Sequence, residues 1–472
     1  MSAELVQALA ARLGARLIET HISWVLLAGD TALKIKKPVT LPFLDYGSLA
    51  ARQRCCEEEL RLNRRLAPGI YRDVVAITGS AAQPSLGGDG PVLEYALRMR
   101  RFADGMLFSE LLPAGALQAR DVDDLAALLA DFHAQAPIAT PQDGYGTPAR
   151  RRDLALAACA GAAAALRADL SDLHGWLQAQ ADAQQPLWAA RLAAGRVREG
   201  HGDLHLANLV RLDEGVAAFD GIEFDPALRW IDVLDDIAFA VMDFAAVGSR
   251  AFAFRLLNGW LDTTGDHEGL PALPFACAYR ALVRAQAHAL RSDAPQARAY
   301  VDAARSWTAL PAPRLAITHG LPGSGKTWRS QQWLQRHGAI RLRSDVERKR
   351  LARLAMLADS RAAGVDLYTG DWGARTYERL LTLARTVLAA GLPVVLDAAF
   401  LRRPERDRAR ALATELGVRF GILACEAPAE VLRQRLRDRR GDASEADEAV
   451  LVRLQADAER LGADELAWIE AG

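Results

Sequence analysis

Two stretches of this 472-residue chain each carry the residue pattern of a phosphate-handling site, and no single site can be built from both. The first is His201-Gly202-Asp203-Leu204-His205-Leu206-Ala207-Asn208, followed by Phe219-Asp220. The second is Gly320-Leu321-Pro322-Gly323-Ser324-Gly325-Lys326-Thr327. The second wraps anions in glycine backbone at the start of a helix. The first has neither the lysine nor the glycine wrap and offers carboxylate and amide side chains instead. The pair forces more than one domain onto the chain, and the length agrees, at roughly 100–200 residues per domain.

Half the residues are hydrophobic (51%) and a quarter charged (25%), an ordinary globular composition with material for two cores. The net charge of −1 supplies no overall field to recruit nucleic acid or an anionic membrane. Five cysteines, Cys55, Cys56, Cys159, Cys277 and Cys425, are odd in number and show no zinc or C-x-x-C spacing. Reduced thiols in a cytoplasmic protein are therefore expected. The N-terminal stretch reads as mixed and amphipathic rather than as a leader, and no window approaches 18 uninterrupted apolar residues, so no membrane partner is expected.

Along the chain, periodicity predicts a helix over 5–18 and hairpin strands at 24–28 and 31–36 around Gly29-Asp30. A charged helix over 48–66 and strands at 74–78 and 92–99 follow. Alanine-rich helices at 121–135, 150–168 and 172–194, a small β insert over 197–224 and more helices from 231 to 308 complete this part. Leu310-Pro311-Ala312-Pro313 reads as a linker, because two prolines forbid helix continuation. From Arg314 strands and helices alternate, including a helix over 345–358, which implies a parallel sheet covered on both faces. The expected domains are residues 1–308 and 314–472, joined by 309–313.

In the C-terminal part a short apolar strand runs into G-x-x-x-x-G-K-T and then a helix, the context a P-loop requires. Gly320, Gly323, Ser324 and Gly325 would bring backbone N–H groups around phosphates. Lys326 would bridge the β- and γ-phosphates, and Thr327 would ligate Mg²⁺. Val394-Val395-Leu396-Asp397 is an apolar strand ending in an acid, which places Asp397 as a second Mg²⁺ group. Asp345 follows the second strand, 339–342, where it could accept a proton from an attacking hydroxyl, with Arg348 steering an anionic substrate; a helix N-cap is its competing role. The segment 433–440 holds five arginines, a pattern suited to a lid over a transferring phosphate. This part resembles the P-loop small-molecule and polynucleotide 5′-hydroxyl kinases, including the gluconate-kinase and zeta-toxin branches. The resemblance implies Asp345 as base and Arg435 and Arg439 as lid residues.

The first motif fits the catalytic-loop logic of the protein-kinase-like fold. Asp203 would accept the acceptor's proton, and Asn208 and Asp220 would hold Mg²⁺. Lys34 and Lys36 alternate onto one face of a strand, so one of them, Lys34 by preference, should contact the α/β-phosphates with Glu59 as its pairing acid. His201 and His205 are four apart, but the intervening Gly202 argues against a helical zinc pair and for histidines that brace the loop. Residues 20–300 resemble the aminoglycoside-phosphotransferase-like branch of the kinase superfamily, and the fusion to a P-loop kinase resembles a known bacterial two-domain type. The implied fold is an N-terminal α+β domain, with a small β lobe and a large helical lobe, followed by an α/β P-loop domain. The chain departs from the kinase pattern in having no glycine-rich loop: 19–23 contains no glycine, the following turn offers only Gly29, and Ser23 could substitute one hydroxyl donor.

The expectation is an ATP- and Mg²⁺-dependent phosphotransferase with two nucleotide sites and small-molecule hydroxyl acceptors. Two alternatives stay open. In one, the N-terminal part binds ligand without turnover and gates the other. In the other, the C-terminal part is a nucleic-acid 5′-end kinase, for which eleven arginines in 401–440 speak; the interleaved Glu405, Asp407 and Asp438 and the lack of an aromatic stacking surface speak against it. Asp225, Asp232, Asp235, Asp236 and Asp243 could line a polycation pocket or brace the fold. The acceptor and the oligomeric state have no sequence signature.

Overall fold

The computed structural model describes residues 3–41, 44–367, 371–438 and 441–470. Arg439, expected in the lid, lies outside the described residues. The chain divides into two compact units, residues 1–151 with 185–240 and residues 152–184 with 241–472.

The first unit opens with the helix Ala3–Leu13, which buries Leu5, Val6, Leu9 and Ala10 at helical spacing. The predicted continuation to 18 does not occur. Gly14 takes φ +59, a left-handed conformation that ends a helix, and Arg16–Glu19 becomes a strand. A six-stranded antiparallel sheet follows in the order 16–19, 23–28, 31–36, 92–100, 71–79, 84–86. The Gly29-Asp30 turn closes the predicted hairpin, with Ala28 opposite Thr31. Leu26, Leu33, Ile35, Ile77 and Ala96 of the sheet pack with the first helix. Alternation along Thr31–Lys36 leaves Lys34 and Lys36 together on the face away from Leu33 and Ile35. The Leu49–Asn63 helix, N-capped by Ser48 onto the Ala51 amide, carries Glu59. Two antiparallel ribbons, 209–212 with 215–218 and 197–199 with 230–232, flank the first motif. The sheet with its packed helix is a small β lobe, as the resemblance implied.

The second unit contains a four-stranded parallel sheet in the order 340–343, 394–397, 314–319, 419–424. Its inner strands are buried nearly throughout, as a sheet covered on both faces requires. Lys326–His337, Trp372–Ala389, Arg403–Glu415 and Ala429–Asp438 are its helices. The same unit holds the helices Arg250–Thr264, Leu273–Leu290 and Ala294–Thr308. The helix expected over 345–358 is Ser344–Leu351 only. Alanine and leucine would favour its continuation, but tertiary contacts override propensity. Arg353 is left-handed at φ +59, and Glu445 takes both the Lys349 ammonium and the Ser360 amide at 2.9 Å. No described helix is long and apolar enough to cross a membrane.

His267 is 1% exposed, beside Arg350 and Arg379. Burial, reinforced by those two cations, lowers its pKa to about 3. The unfolded chain takes up this proton near pH 6.5, whereas the folded protein does so only near pH 3. Its contribution is therefore complete above about pH 6.5 and is lost as pH falls toward 3, on the order of 3 kcal/mol between pH 7 and 4. His267→Leu should flatten the acid limb of the thermal-midpoint profile over that interval. Parallel profiles for variant and wild type would refute this.

Candidate functional site

In the second unit the glycine loop has geometry only glycine sustains. Gly320 has φ +151, and a Cβ there would lie 2.2 Å from the Cys425 carbonyl oxygen. Gly323 has φ +84 with its Cβ position 2.9 Å from the Leu432 carbonyl, and Gly325 has φ +94 as N-cap of Lys326–His337. Gly320→Ala should therefore add backbone strain of about 1–3 kcal/mol and weaken Mg-ATP binding about tenfold. A nucleotide titration and a thermal midpoint both indistinguishable from wild type would contradict this.

Around the loop lies a cleft of about 1280 Å³ lined by Lys326, Thr327, Asp345, Arg348, Asp397 and Arg435. Lys326 Nζ donates to the Leu321 carbonyl at 2.9 Å, and Arg435 donates to the Gly323 carbonyl at 3.0 Å, so both cations lie on the loop itself. Asp397 ends the central strand Val394–Asp397, 5% exposed, and accepts from Ser330 Oγ at 3.1 Å. Asp345 sits in the first turn of Ser344–Leu351, with Arg343 rather than Asp345 as the N-cap, and pairs with Arg348 at 3.1 Å. The N-cap role weighed for Asp345 is thus not the one it takes. Ser324 lies in the loop, 8% exposed.

Sequence reasoning missed several residues that line this cleft. Arg343 bonds Asp442 at 2.7 Å, and Asp442 sits beyond the arginine segment. The Tyr377 hydroxyl accepts from the Phe400 amide at 3.0 Å, and burial raises the neighbouring Glu405 pKa. Arg343 directly precedes the Ser344-Asp345 element, a positional signal that could have found it. Tyr377 and Glu405 carry no local signal.

In the first unit, Lys34 Nζ bonds Glu59 at 2.8 Å and also pairs with Asp220. Lys36 bonds the other Glu59 oxygen at 2.6 Å, Tyr46 at 3.2 Å and Glu223. The two lysines are not equivalent: Lys36 is enclosed at 1% side-chain exposure, while Lys34 retains 12%. Burial opposes charge on Glu59, yet Lys34 and Lys36 hold its pKa well below the usual carboxylate range. Burial likewise opposes the Lys34 ammonium, which Asp220 and Glu59 keep protonated.

Asp236 positions the motif loop by accepting the His201 and Gly202 amides, each at 2.8 Å, and meets His133 at 3.1 Å. Burial works against its charge, but His133, His201 and the backbone donors take its pKa down to about 2. His201 Nδ1 accepts the Asp203 amide at 3.2 Å, which makes Nε2 the protonated nitrogen donating to the Phe219 carbonyl at 2.9 Å. No ring nitrogen of His201 remains for zinc. His205 Nε2 lies 3.3 Å from Asp203 Oδ2. Among the described residues no cluster of three or more His, Cys, Asp or Glu side chains is arranged to hold a metal ion. The acidic run over 225–245 has structural partners: Asp225 caps the Pro226–Arg229 helix, Asp232 takes Arg191, Asp235 takes Arg151 and Asp243 takes Tyr300. Ser23 is 1% exposed, opposite Lys36 in the sheet.

The donor sets fit Mg²⁺ held mainly through water and phosphate. Asn208 spends its amide N–H groups on the Asp203 carbonyl at 3.0 Å and on Asp203 Oδ2 at 3.1 Å, so a metal ion there would meet its Oδ1. Asp220 is 43% exposed at its side chain, with one carboxylate oxygen on Lys34. In the other unit Thr327 and Asp397 line the same cleft.

Residues 315–461 match the AAA domain family. An uncharacterized protein of Mycobacterium tuberculosis is 29% identical over 450 residues, covering 93% of this chain and 89% of its own length. Among solved structures, a sugar kinase from Janibacter sp. matches 32% of this chain and 82% of its own at 23% identity and TM-score 0.25. A choline kinase from Cryptosporidium parvum matches 62% of this chain and 87% of its own at 11% identity and TM-score 0.40.

Proposed function

We propose that this protein is a phosphotransferase that uses ATP and Mg²⁺ at two separate sites, each moving the γ-phosphoryl group to a hydroxyl of a small molecule. The observation that carries the reading is the convergence of Lys326, Thr327, Asp345, Arg348, Asp397 and Arg435 on one cleft. Lys326 and the loop amides bind the β/γ-phosphates, and Thr327 and Asp397 hold Mg²⁺, which neutralises charge on the phosphates. Asp345 receives the acceptor proton as the hydroxyl oxygen bonds phosphorus and the bond to the ADP oxygen breaks. Arg435, already on the loop, is placed to follow charge developing on the transferred group.

In the first unit Lys34 is the phosphate ligand, held by Glu59. Lys36 is the structural partner, locked by Glu223 and Tyr46. Asp203 is the base, its carboxylate oriented by Asn208, and Asn208 and Asp220 hold the metal. The ion pairs of the C-terminal arginines favour small acceptors over nucleic acid. Arg402 pairs with Asp457, Arg403 with Asp464, Arg406 with Glu465, Arg408 with Glu378, Arg410 with Asp407, Arg433 with Glu430 and Arg437 with Glu448, so most of the arginines in this segment already face a carboxylate rather than a phosphate backbone. The test is purified full chain with Mg-ATP and a metabolite mixture. Asp203→Ala should remove one class of phosphorylated products and Asp345→Ala another. Wild-type product patterns from both variants would end this reading.

A further inference from the structure

We propose that the Arg250–Thr264 helix, through Asn258 and Asp262, positions the segment 339–351 and thereby the acceptor side of the P-loop cleft. The inference rests on the reading of that cleft given above. The strand Ile340–Arg343 is an edge strand, paired on one side only, with Val394–Asp397. An edge strand has a row of backbone groups that need partners. Asn258 supplies them as a neighbouring strand would: its Nδ2 donates to the Ala339 carbonyl at 2.8 Å, and its Oδ1 accepts the Arg341 amide at 2.6 Å. Asn258 is 2% exposed.

One turn further along the helix, the Asp262 carboxylate holds two arginines that both lead into the site. Arg341 lies 3.4 Å from Asp262 and donates to the Thr327 carbonyl at 3.4 Å, in the first turn after the phosphate loop. Arg343 lies 3.7 Å from Asp262 and bonds Asp442 across the cleft at 2.7 Å. Arg341 and Asp262 are both under 10% exposed. With Asp262 removed, buried Arg341 loses its counter-charge and Arg343 loses the contact opposite Asp442.

A third connection fixes the helix that bears Asp345 and Arg348. Arg350 donates to the backbone carbonyl of Asp262 at 2.8 Å and approaches that of Leu261 at 3.5 Å, capping the C-terminal end of Arg250–Thr264. Strand, arginine pair and Asp345 helix are thus referenced to one helix that lies before residue 309. The family match begins only at 315. Asn258 and Asp262 are positioning residues and need not touch substrate.

The experiment uses the full chain with Asn258→Leu, Asp262→Ala and Asn258→Asp, the last keeping the acceptor for the Arg341 amide. Readouts are Lys326-dependent ADP release with the metabolite mixture, Mg-ATP affinity, thermal midpoint and hydrogen exchange over 339–351. Asn258→Leu and Asp262→Ala should lower kcat about 10–100-fold with Mg-ATP affinity within about twofold of wild type. Exchange over 339–351 should accelerate while the rest of the sheet stays protected, and Asn258→Asp should fall between. Unchanged kcat and exchange would overturn the proposal, as would a loss of kcat matched by equal losses of Mg-ATP affinity and global stability. If Lys326→Ala leaves ADP release unchanged, the reading of the cleft fails, and the exchange pattern alone then decides the clamp.

Discussion

Replacing Lys326 with alanine is expected to lower phosphoryl transfer at the C-terminal cleft by roughly 10³-fold or more. The reason is geometric as well as electrostatic. Lys326 opens the Lys326–His337 helix immediately after the φ +94 turn at Gly325, so on the proposed reading its ammonium and the helix N-terminal amides would meet one anion together. Its present bond to the Leu321 carbonyl, at 2.9 Å, keeps the side chain against the loop that must receive the phosphates. The neighbouring cations do not replace it: Arg435 and Arg348 reach the cleft from Ala429–Asp438 and Ser344–Leu351, and neither opens the helix that follows the loop. Rates of ADP formation and Mg-ATP affinity, measured on the same preparation, check the expectation. A variant with near-wild-type turnover would show that phosphate is not bound on this loop. Products that depend on Asp203 should persist in the Lys326→Ala protein, because the two sites are built from different residues.

Asp203→Asn is expected to lower transfer at the N-terminal site by about 10²–10⁴-fold, the range for loss of a positioned general base. The exchange retains the size of the side chain while removing its capacity to accept a proton. Backbone geometry around it is fixed independently, by Asp236 on the His201 and Gly202 amides and by His201 on the Asp203 amide. Nucleotide affinity should therefore change little, since Lys34 and Asp220 are untouched and Asn208 keeps its bond to the Asp203 backbone carbonyl. Steady-state rates and a binding titration check both halves of the statement. A loss of affinity equal to the loss of rate would assign Asp203 to ligand binding instead of proton transfer.

Much of the second unit is legible in its sequence. The helices Lys326–His337 and Ala429–Asp438 and the strand Arg419–Ala424 fall where periodicity placed them. Glycine spacing and the apolar run into Asp397 are local signals. The hairpin around Gly29-Asp30 and the shared face of Lys34 and Lys36 were legible for the same reason. Local rules failed where partners are remote. The helix predicted to 358 stops at Leu351, where Lys349 and Ser360 meet Glu445. Asp232, Asp235 and Asp236 read equally as a polycation pocket or as bracing groups until Arg191, Arg151 and His133 were found against them.

That two unlike phosphate motifs share one chain was readable from contiguous residues alone, because their backbone freedom and side-chain types are fixed locally. Which lysine reaches Asp220 and which is sealed against Glu223 was set by packing between residues 186 and 187 positions apart. Packing alone placed Asn258 and Asp262 on the edge strand before Asp345, at separations of 79 to 83 residues. No propensity or period encodes such pairings. They arise because buried charges and edge-strand backbone groups must find partners when the chain packs, and the partners they find are those that the fold brings near.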